Sequence, residues 1–349
     1  MSDVVTPVRP RTLEIPREEW TAVVARFTGP DVRRALWQVV NTLGPLVATL
    51  WLMYQLLDPA PWGTALLVPL AAGLLVRTFI IMHDCAHGSF LPWPRLNDAL
   101  GFVTGVITVT PFTQWRRDHA LHHASSGDLE RRGHGDITTL TVREYLALSP
   151  GKRRHYRFVR HPLTLMLLGP LHLMLNQRIR GKSKATRNKQ VVSVWATNAA
   201  IAAAVTAAIW AWGAKAVLLV YLPAMYVAAA AGIWLFYVQH QFEDAYWEEH
   251  GAWDYATAAI TGSSHLRLHP ILGWFTGNIG LHHVHHIGPR IPNYRLQQAH
   301  ESHPVFNAAP VMTIAQGMRA LRLALYDEDT KRLIPFAALT SLRRPWQTA

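Results

Sequence analysis

Four stretches of this sequence are each long and apolar enough to cross a bilayer, and they limit what the remainder can fold into. A crossing takes about 20 mostly apolar residues. Residues 35–57 and 62–82 form the first pair, separated only by Asp58-Pro59-Ala60-Pro61. Residues 191–212 and 216–238 form the second pair, separated by Gly213-Ala214-Lys215. Backbone groups inside lipid must be paired within their own segment, so the expectation is four transmembrane helices in two tight hairpins. Composition agrees: half of the 349 residues are apolar and 16% are charged, too few charges for two soluble domains of that length.

The cations set the orientation. Lys and Arg number six in residues 1–34, seventeen in 82–190 and nine in 239–349, against none in the first hairpin turn and one in the second. By the positive-inside rule both termini and the central loop are expected in the cytoplasm. The net charge of +12 is therefore a topology signal and not a nucleic-acid footprint, since no basic domain with interleaved aromatics is present. Residues 1–34, polar, mixed in charge and without a secretory signal, read as an N-terminal cytoplasmic arm. Residues 35–310 are expected to form the membrane domain, and 311–349 a C-terminal cytoplasmic tail. Two weaker apolar stretches, 96–112 and 163–175, are expected to be interfacial or re-entrant; a crossing pair is the alternative. Arg77, inside the second block, either snorkels to the interface or faces the protein interior.

Nineteen histidines are more than surface use explains. Nine emerge on the cytoplasmic side of this topology: His83 and His87; His119, His122 and His123; His240; and His282, His285 and His286. Spacings of three and four place side chains on one helical face, about 5–6 Å apart at Cβ, within reach of a shared ion. More imidazoles are clustered than one tetrahedral zinc uses, so two metal ions are expected. Imidazole alone does not choose between iron, zinc and copper. No Glu-x-x-His pair occurs, which disfavours a carboxylate-bridged di-iron bundle, and no His-Glu-x-x-His zinc-protease helix is present. The single cysteine, Cys85, excludes a disulfide framework and a thiolate-rich zinc site. Asp84, Asp118, Glu243, Asp244 and Asn278 lie beside the clusters and are candidates to orient ligand imidazoles. His283 points about 100° away from His282 and is expected to be spare or supporting. The isolated His134, His155, His161, His172, His250, His265, His269, His300 and His303 are expected at the surface or the interface.

The order His-x-x-x-His, His-x-x-His-His, His-x-x-His-His, interleaved with two pairs of spans, resembles the integral-membrane fatty acid desaturases. Flanking residues strengthen the likeness to the bacterial and plastid acyl-lipid branch, which includes delta-12 (omega-6) enzymes: His83-Asp84-Cys85-Ala86-His87-Gly88-Ser89, Tyr237-Val238-Gln239-His240-Gln241-Phe242-Glu243-Asp244 and Gly277-Asn278-Ile279-Gly280-Leu281-His282, with Pro289-Arg290-Ile291-Pro292-Asn293-Tyr294 following. The resemblance implies an all-α integral-membrane fold with a cytoplasmic helical cap carrying a histidine-rich dimetal site. It further implies a non-haem di-iron centre on the nine histidines, dioxygen as co-substrate, and insertion of a cis double bond into membrane lipid acyl chains. Phe236 stands where animal acyl-CoA members carry an asparagine that holds a water ligand, so nothing is carried over there. No haem-binding or iron–sulfur segment is fused, so a separate electron donor is expected, ferredoxin being the expectation, drawn by basic residues including Arg116, Arg117 and Lys152-Arg153-Arg154. The implied location is a bacterial inner membrane. A hydroxylase or carotenoid oxygenase of the same superfamily would share the ligands. A histidine-rich metal transporter or a membrane zinc hydrolase are the alternatives from other classes; transporters place their ligands near the bilayer midplane.

Overall fold

A computed structural model describes residues 16–133, 137–179 and 188–340 of the chain. Of the positions singled out above, His134 lies outside the described residues, as do 1–15 of the arm and 341–349 of the tail. The chain begins with α1 (Arg17–Phe27), α2 (Val32–Gln55) and α3 (Pro61–Ala86), followed by α4 (Pro94–Ile107) and α5 (Phe112–Ser125). Strand β1 (Leu140–Thr141) leads to α6 (Val142–Ala147), α7 (Pro150–Val159), α8 (Pro162–Leu167) and α9 (Gly169–Asn176). Then come α10 (Asn188–Trp212) and a π-helical turn, Ala216–Tyr221, that runs directly into α11 (Leu222–His240). The last part carries α12 (Tyr255–Thr261), β2 (His265–Leu266), α13 (Pro270–Phe275), α14 (His282–Ile287), α15 (Leu296–Glu301), β3 (Val311–Met312), α16 (Ile314–Ala320), β4 (Leu323–Asp327) and β5 (Arg332–Pro335).

Four of these segments are long and apolar enough to span a membrane: Val32–Gln55, Pro61–Ala86, Asn188–Trp212 and Ala216–His240. At 1.5 Å per residue, 24–26 residues reach about 36–39 Å, several ångströms more than a ~30 Å hydrocarbon core. The excess puts the last turns of α3 and α11, with His83 and His240, beyond the apolar slab. The exposed ion pair Lys215–Asp58, 3.0 Å, joins the two hairpin turns, so both hairpins turn at the same end, opposite the histidines. Such a pair adds little stability, but its geometry fixes the layout. α3 packs against α2, α4 and α11 and is the most buried of the four, while α10 presents mostly outward-facing residues such as Val192, Trp195 and Trp210. Apolar side chains facing outward are what lipid contact requires.

Arg77 faces inward. Its Nε donates to Thr42 Oγ1 at 3.1 Å, Nη1 donates to the Trp274 carbonyl, and the guanidinium lies 4.1 Å from the Trp274 ring centroid. A cation–π contact and two hydrogen bonds replace the water it would otherwise need.

The weaker apolar stretches form short helices. α4 has 14 residues, about 21 Å, too short to cross, and ends in a turn at Thr108–Thr110 that returns the chain to α5. That turn depends on Gly105, where an added Cβ would sit 2.6 Å from the Thr110 carbonyl oxygen. Backbone cannot yield as a side chain can, so Gly105→Ala is expected to destabilise by about 1–3 kcal/mol. A lowered melting midpoint of the detergent-solubilised protein would register it; an unchanged midpoint would show that the α4–α5 turn gives way freely.

The described parts of the arm and the tail are packed. Trp20, Val23, Val24 and Phe27 of α1 cover a core that includes Ile287, Ile291, Leu296 and Phe306. Strand β4 pairs parallel with β1 and antiparallel with β5, and β2 pairs parallel with β3. These small sheets are additions to a mostly helical cap over one end of the four spans.

Candidate metal centre

Three local structures deliver the histidines. His83 lies in the last turn of α3, and His87 is its C-cap residue. α5 carries His119, His122 and His123 over little more than one turn. α14 is a six-residue helix that starts at His282 and holds His285 and His286. The turn before it uses left-handed backbone at Gly277 (φ 54°) and Asn278 (φ 57°). A Cβ on Gly277 would come within 2.7 Å of Ile80, so only glycine fits there, and asparagine is among the few residues that tolerate the next position.

Eight of the nine histidines fall into two quartets, each with its ligand nitrogens within 4.8 Å of one another. The first is His83, His87, His119 and His285; the second is His122, His240, His282 and His286. His123 lies between them: its Nε2 is 3.1 Å from His119 Nε2, while its ring stacks on His286 at 4.2 Å. α5 and α14 each feed both groups. α5 sends His119 to the first and His122 to the second, and α14 sends His285 to the first and the i, i+4 pair His282 and His286 to the second.

Within the quartets, Nε2 atoms approach closely: His83 to His285 at 3.0 Å and to His119 at 3.1 Å, and His240 to His282 at 2.9 Å and to His122 at 3.1 Å. His282 Nε2 also meets His286 Nε2 at 3.1 Å. One N–H can satisfy one lone pair, not several converging on a point. A cation about 2.1 Å from each nitrogen would hold neighbours about 3.0–3.4 Å apart, for right-angle to tetrahedral geometry. His87 Nε2, buried and without a hydrogen-bond partner, fits the same picture. Burial first, and the surrounding imidazoles second, hold His87, His119, His123, His282, His285 and His286 well below the usual histidine range. They are neutral, the form that ligates metal. The residues present therefore fit two ions.

The supporting residues sort clearly. Asp84 Oδ1 lies 2.9 Å from His83 Nδ1, and its Oδ2 accepts from the Asn293 backbone N–H at 2.7 Å and from Asn293 Nδ2 at 2.8 Å. Asn293 was not among the sequence candidates, because a contact across 209 residues leaves no local signal. The other candidates are placed elsewhere. Asp118 accepts from Gln114 Nε2 one turn away on α5; Glu243 and Asp244 sit on the surface paired with Arg332; Asn278 serves the backbone turn.

His283 is fully buried outside both quartets, its Nε2 3.1 Å from His300 Nδ1, with the His265 ring 5.6 Å away. His265 and His300 are thus half-buried partners and not free surface residues; burial pushes His265 down to about 4. His250 is also engaged, its Nδ1 2.7 Å from Asp128. His161, His269 and His303 cap short helices that begin at the following proline.

Apolar rings close the centre. Trp115 stacks on His119 at 4.3 Å, and Phe236 lies 5.1 Å from His122 and 5.4 Å from His240. Phe236, His240, Gln241, Ser126, Gly127, Ile137 and Trp247 surround a narrow cavity beside the second quartet.

Comparison with known proteins agrees with this geometry. The fatty acid desaturase family model matches residues 59–313. The chain is 42% identical over 329 residues to a fatty acid desaturase of Bacillus subtilis, covering 94% of this chain and 93% of that one. It is 26% identical over 276 residues to the sn-1 oleoyl-lipid 12-desaturase of Synechocystis, covering 77% and 75% of the two chains. It is 27% identical over 241 residues to a chloroplastic sn-2 acyl-lipid omega-3 desaturase (ferredoxin) of Arabidopsis thaliana, covering 64% and 51%. With four membrane-spanning helices, two buried imidazole quartets and a family match over most of its length, the chain belongs to the fatty acid desaturases, a family of oxidoreductases.

Proposed function

We propose that this desaturase binds two iron ions on its histidines and inserts a cis double bond into acyl chains of membrane lipids, at the delta-12 (omega-6) position. The observation that carries the reading is the pair of adjacent quartets, built from imidazole alone, with seven of the eight rings buried. When bound, the ions supply a dioxygen-dependent oxidation that takes one hydrogen from each of two adjacent methylenes, with two electrons from an external donor. The ligand set is His83, His87, His119, His122, His123, His240, His282, His285 and His286.

The chain's own residues supply position and seclusion. Asp84 orients the His83 ring. Trp115 and Phe236 place apolar surface against the ligands, which keeps bulk water from the reacting groups. An unactivated methylene offers no polar handle, so an apolar channel must select the carbon by the chain's depth. The delta-12 assignment is supported by the relative named as an oleoyl-lipid 12-desaturase. A separate donor, ferredoxin, is supported by the relative whose name includes it and by the basic side chains of Arg116 and Lys152-Arg153-Arg154. The excess of cations flanking the histidine end supports placing that end, with both termini, in the cytoplasm of a bacterial inner membrane.

The fatty-acid profile of a host expressing the chain, beside one expressing His122→Ala, tests this directly. The expected result is a new unsaturated product lacking one pair of hydrogens, seen only with the unaltered chain, with the double bond mapped to carbon 12. A product that gains an oxygen would establish a hydroxylase instead, and a double bond elsewhere would overturn the regiochemistry alone.

A further inference from the structure

Arg160 is among the largest fully buried side chains of the described residues, only 2% exposed, and it does not belong to the ligand set. It follows α7 as the C-cap residue, and its guanidinium gathers three distant segments. Nη1 donates to the Thr138 carbonyl at 3.0 Å. Nη2 donates to the Leu323 carbonyl at 2.9 Å, to Gln241 Oε1 at 3.0 Å and to Tyr237 OH at 3.1 Å. Tyr237 OH in turn donates to the same Leu323 carbonyl. Leu323 opens β4 and lies beyond residue 313, where the family match ends.

Tyr237 and Gln241 bracket His240, one turn before it and one residue after it. His240 is the last residue of α11, and Gln241 is the C-cap that leaves the helix with φ −113° and ψ 76°. A helix end is where backbone order is weakest, since its last carbonyls have no partner within the helix. It is also the negative end of the helix dipole, where a buried cation is favoured. His240 alone among the nine histidines comes from α11, and its Nε2 has to meet His122 and His282 within 3.1 Å.

We propose that Arg160 is a positioning residue for the second quartet: it pins the final turn of α11 against residues 138–139 and β4, and so fixes His240. A consequence is that the hairpin β4–β5, outside the family match, is coupled to the metal centre through Arg160 together with Tyr237. The inference rests on the reading of the two quartets as metal sites.

Purified full-length protein in detergent, loaded with ferrous iron, tests it by iron content, with Mössbauer spectra to separate the two environments. Arg160→Met is expected to lower iron affinity at one environment about 10–100-fold, the scale seen when an outer partner of a ligand is lost, while the other keeps its iron. Arg160→Lys, which restores a cation with fewer donors, is expected to recover part of that loss. Should Arg160→Met fail to fold, the pair Tyr237→Phe with Gln241→Leu keeps Arg160 and removes its contacts to α11, together with the Tyr237–Leu323 and Thr139–Gln241 hydrogen bonds, and is expected to reproduce the one-sided loss. A folded variant of either kind with both environments occupied at wild-type affinity overturns the proposal. Unaltered protein that takes up no iron would instead overturn the metal reading beneath it.

Discussion

His285→Ala is expected to abolish desaturation, by at least about 100-fold, and to lower bound iron from about two ions per chain toward one, whereas His283→Ala keeps both ions. The two residues lie two positions apart on a six-residue helix, and both are buried, so burial does not separate them. Direction does. His285 Nε2 lies 3.0 Å from His83 Nε2, and its ring packs within 4.9 Å of His87, inside the first quartet. His283 turns the other way, to His300 and Phe306. Truncating it leaves a cavity and an unpartnered His300 nitrogen, so a cost of about 1–3 kcal/mol in stability is expected without loss of metal. Iron analysis of both purified variants, beside their melting midpoints, checks this. Retention of two ions by His285→Ala, or an empty centre in His283→Ala, would reverse the assignment.

The alternation on α14 and α5 also explains why the quartets are adjacent. Successive positions on one short helix face both groups, so the groups cannot be further apart than the helix surface allows, about 5–6 Å between neighbouring Cβ atoms. His123 fills the space between, touching His119 on one side and His286 on the other. Removing His123 is therefore expected to disturb both groups, unlike removal of His87 or His240.

Much of this was legible in the sequence because it is periodic or local. Apolar blocks of 20 or more residues announce spanning helices whatever packs against them, and the basic segments between them place the histidines at one end. Spacings of three and four put the histidines on shared helical faces. What spacing does not encode is which of two neighbouring ions each imidazole meets. The division of His282 and His286 from His285 depends on how α14 is rotated against α3 and α5, a property of packing. The misplaced candidates have the same cause. Asp118 adjoins His119, and Glu243 and Asp244 follow His240 by three and four positions, yet their side chains meet Gln114 and Arg332 instead. Asn293 and Arg160, the partners that do reach the centre's supports, come from across the fold. The short strands β1, β4 and β5 also escaped detection, being too brief for alternation to show.

Asp84→Asn is expected to weaken iron binding at the first quartet, or desaturation, about 10–100-fold while the protein still folds. The substitution keeps the shape of the side chain and changes one acceptor into a donor. In the native arrangement Oδ1 receives the Nδ1 proton of His83, which leaves Nε2 with a free lone pair toward His119 and His285. Oδ2 receives two N–H groups from Asn293. An asparagine has a single oxygen. If that oxygen faces His83, its NH2 confronts the two donors of Asn293; if it faces Asn293, its NH2 confronts the His83 proton and favours the tautomer with Nε2 protonated. The first choice leaves buried donors opposed, at a cost of about 1–3 kcal/mol, and the second blocks a ligand nitrogen. Asn293→Ala removes one of the two donors to Asp84 Oδ2 and leaves the His83 contact in place, so its effect on iron is expected to be several-fold smaller. Iron titration of the three proteins at equal folded fraction distinguishes them. Equal affinity in Asp84→Asn and the unaltered protein would mean that His83 is oriented by packing alone, with Trp115 at 5.7 Å as the nearest ring outside the ligand set.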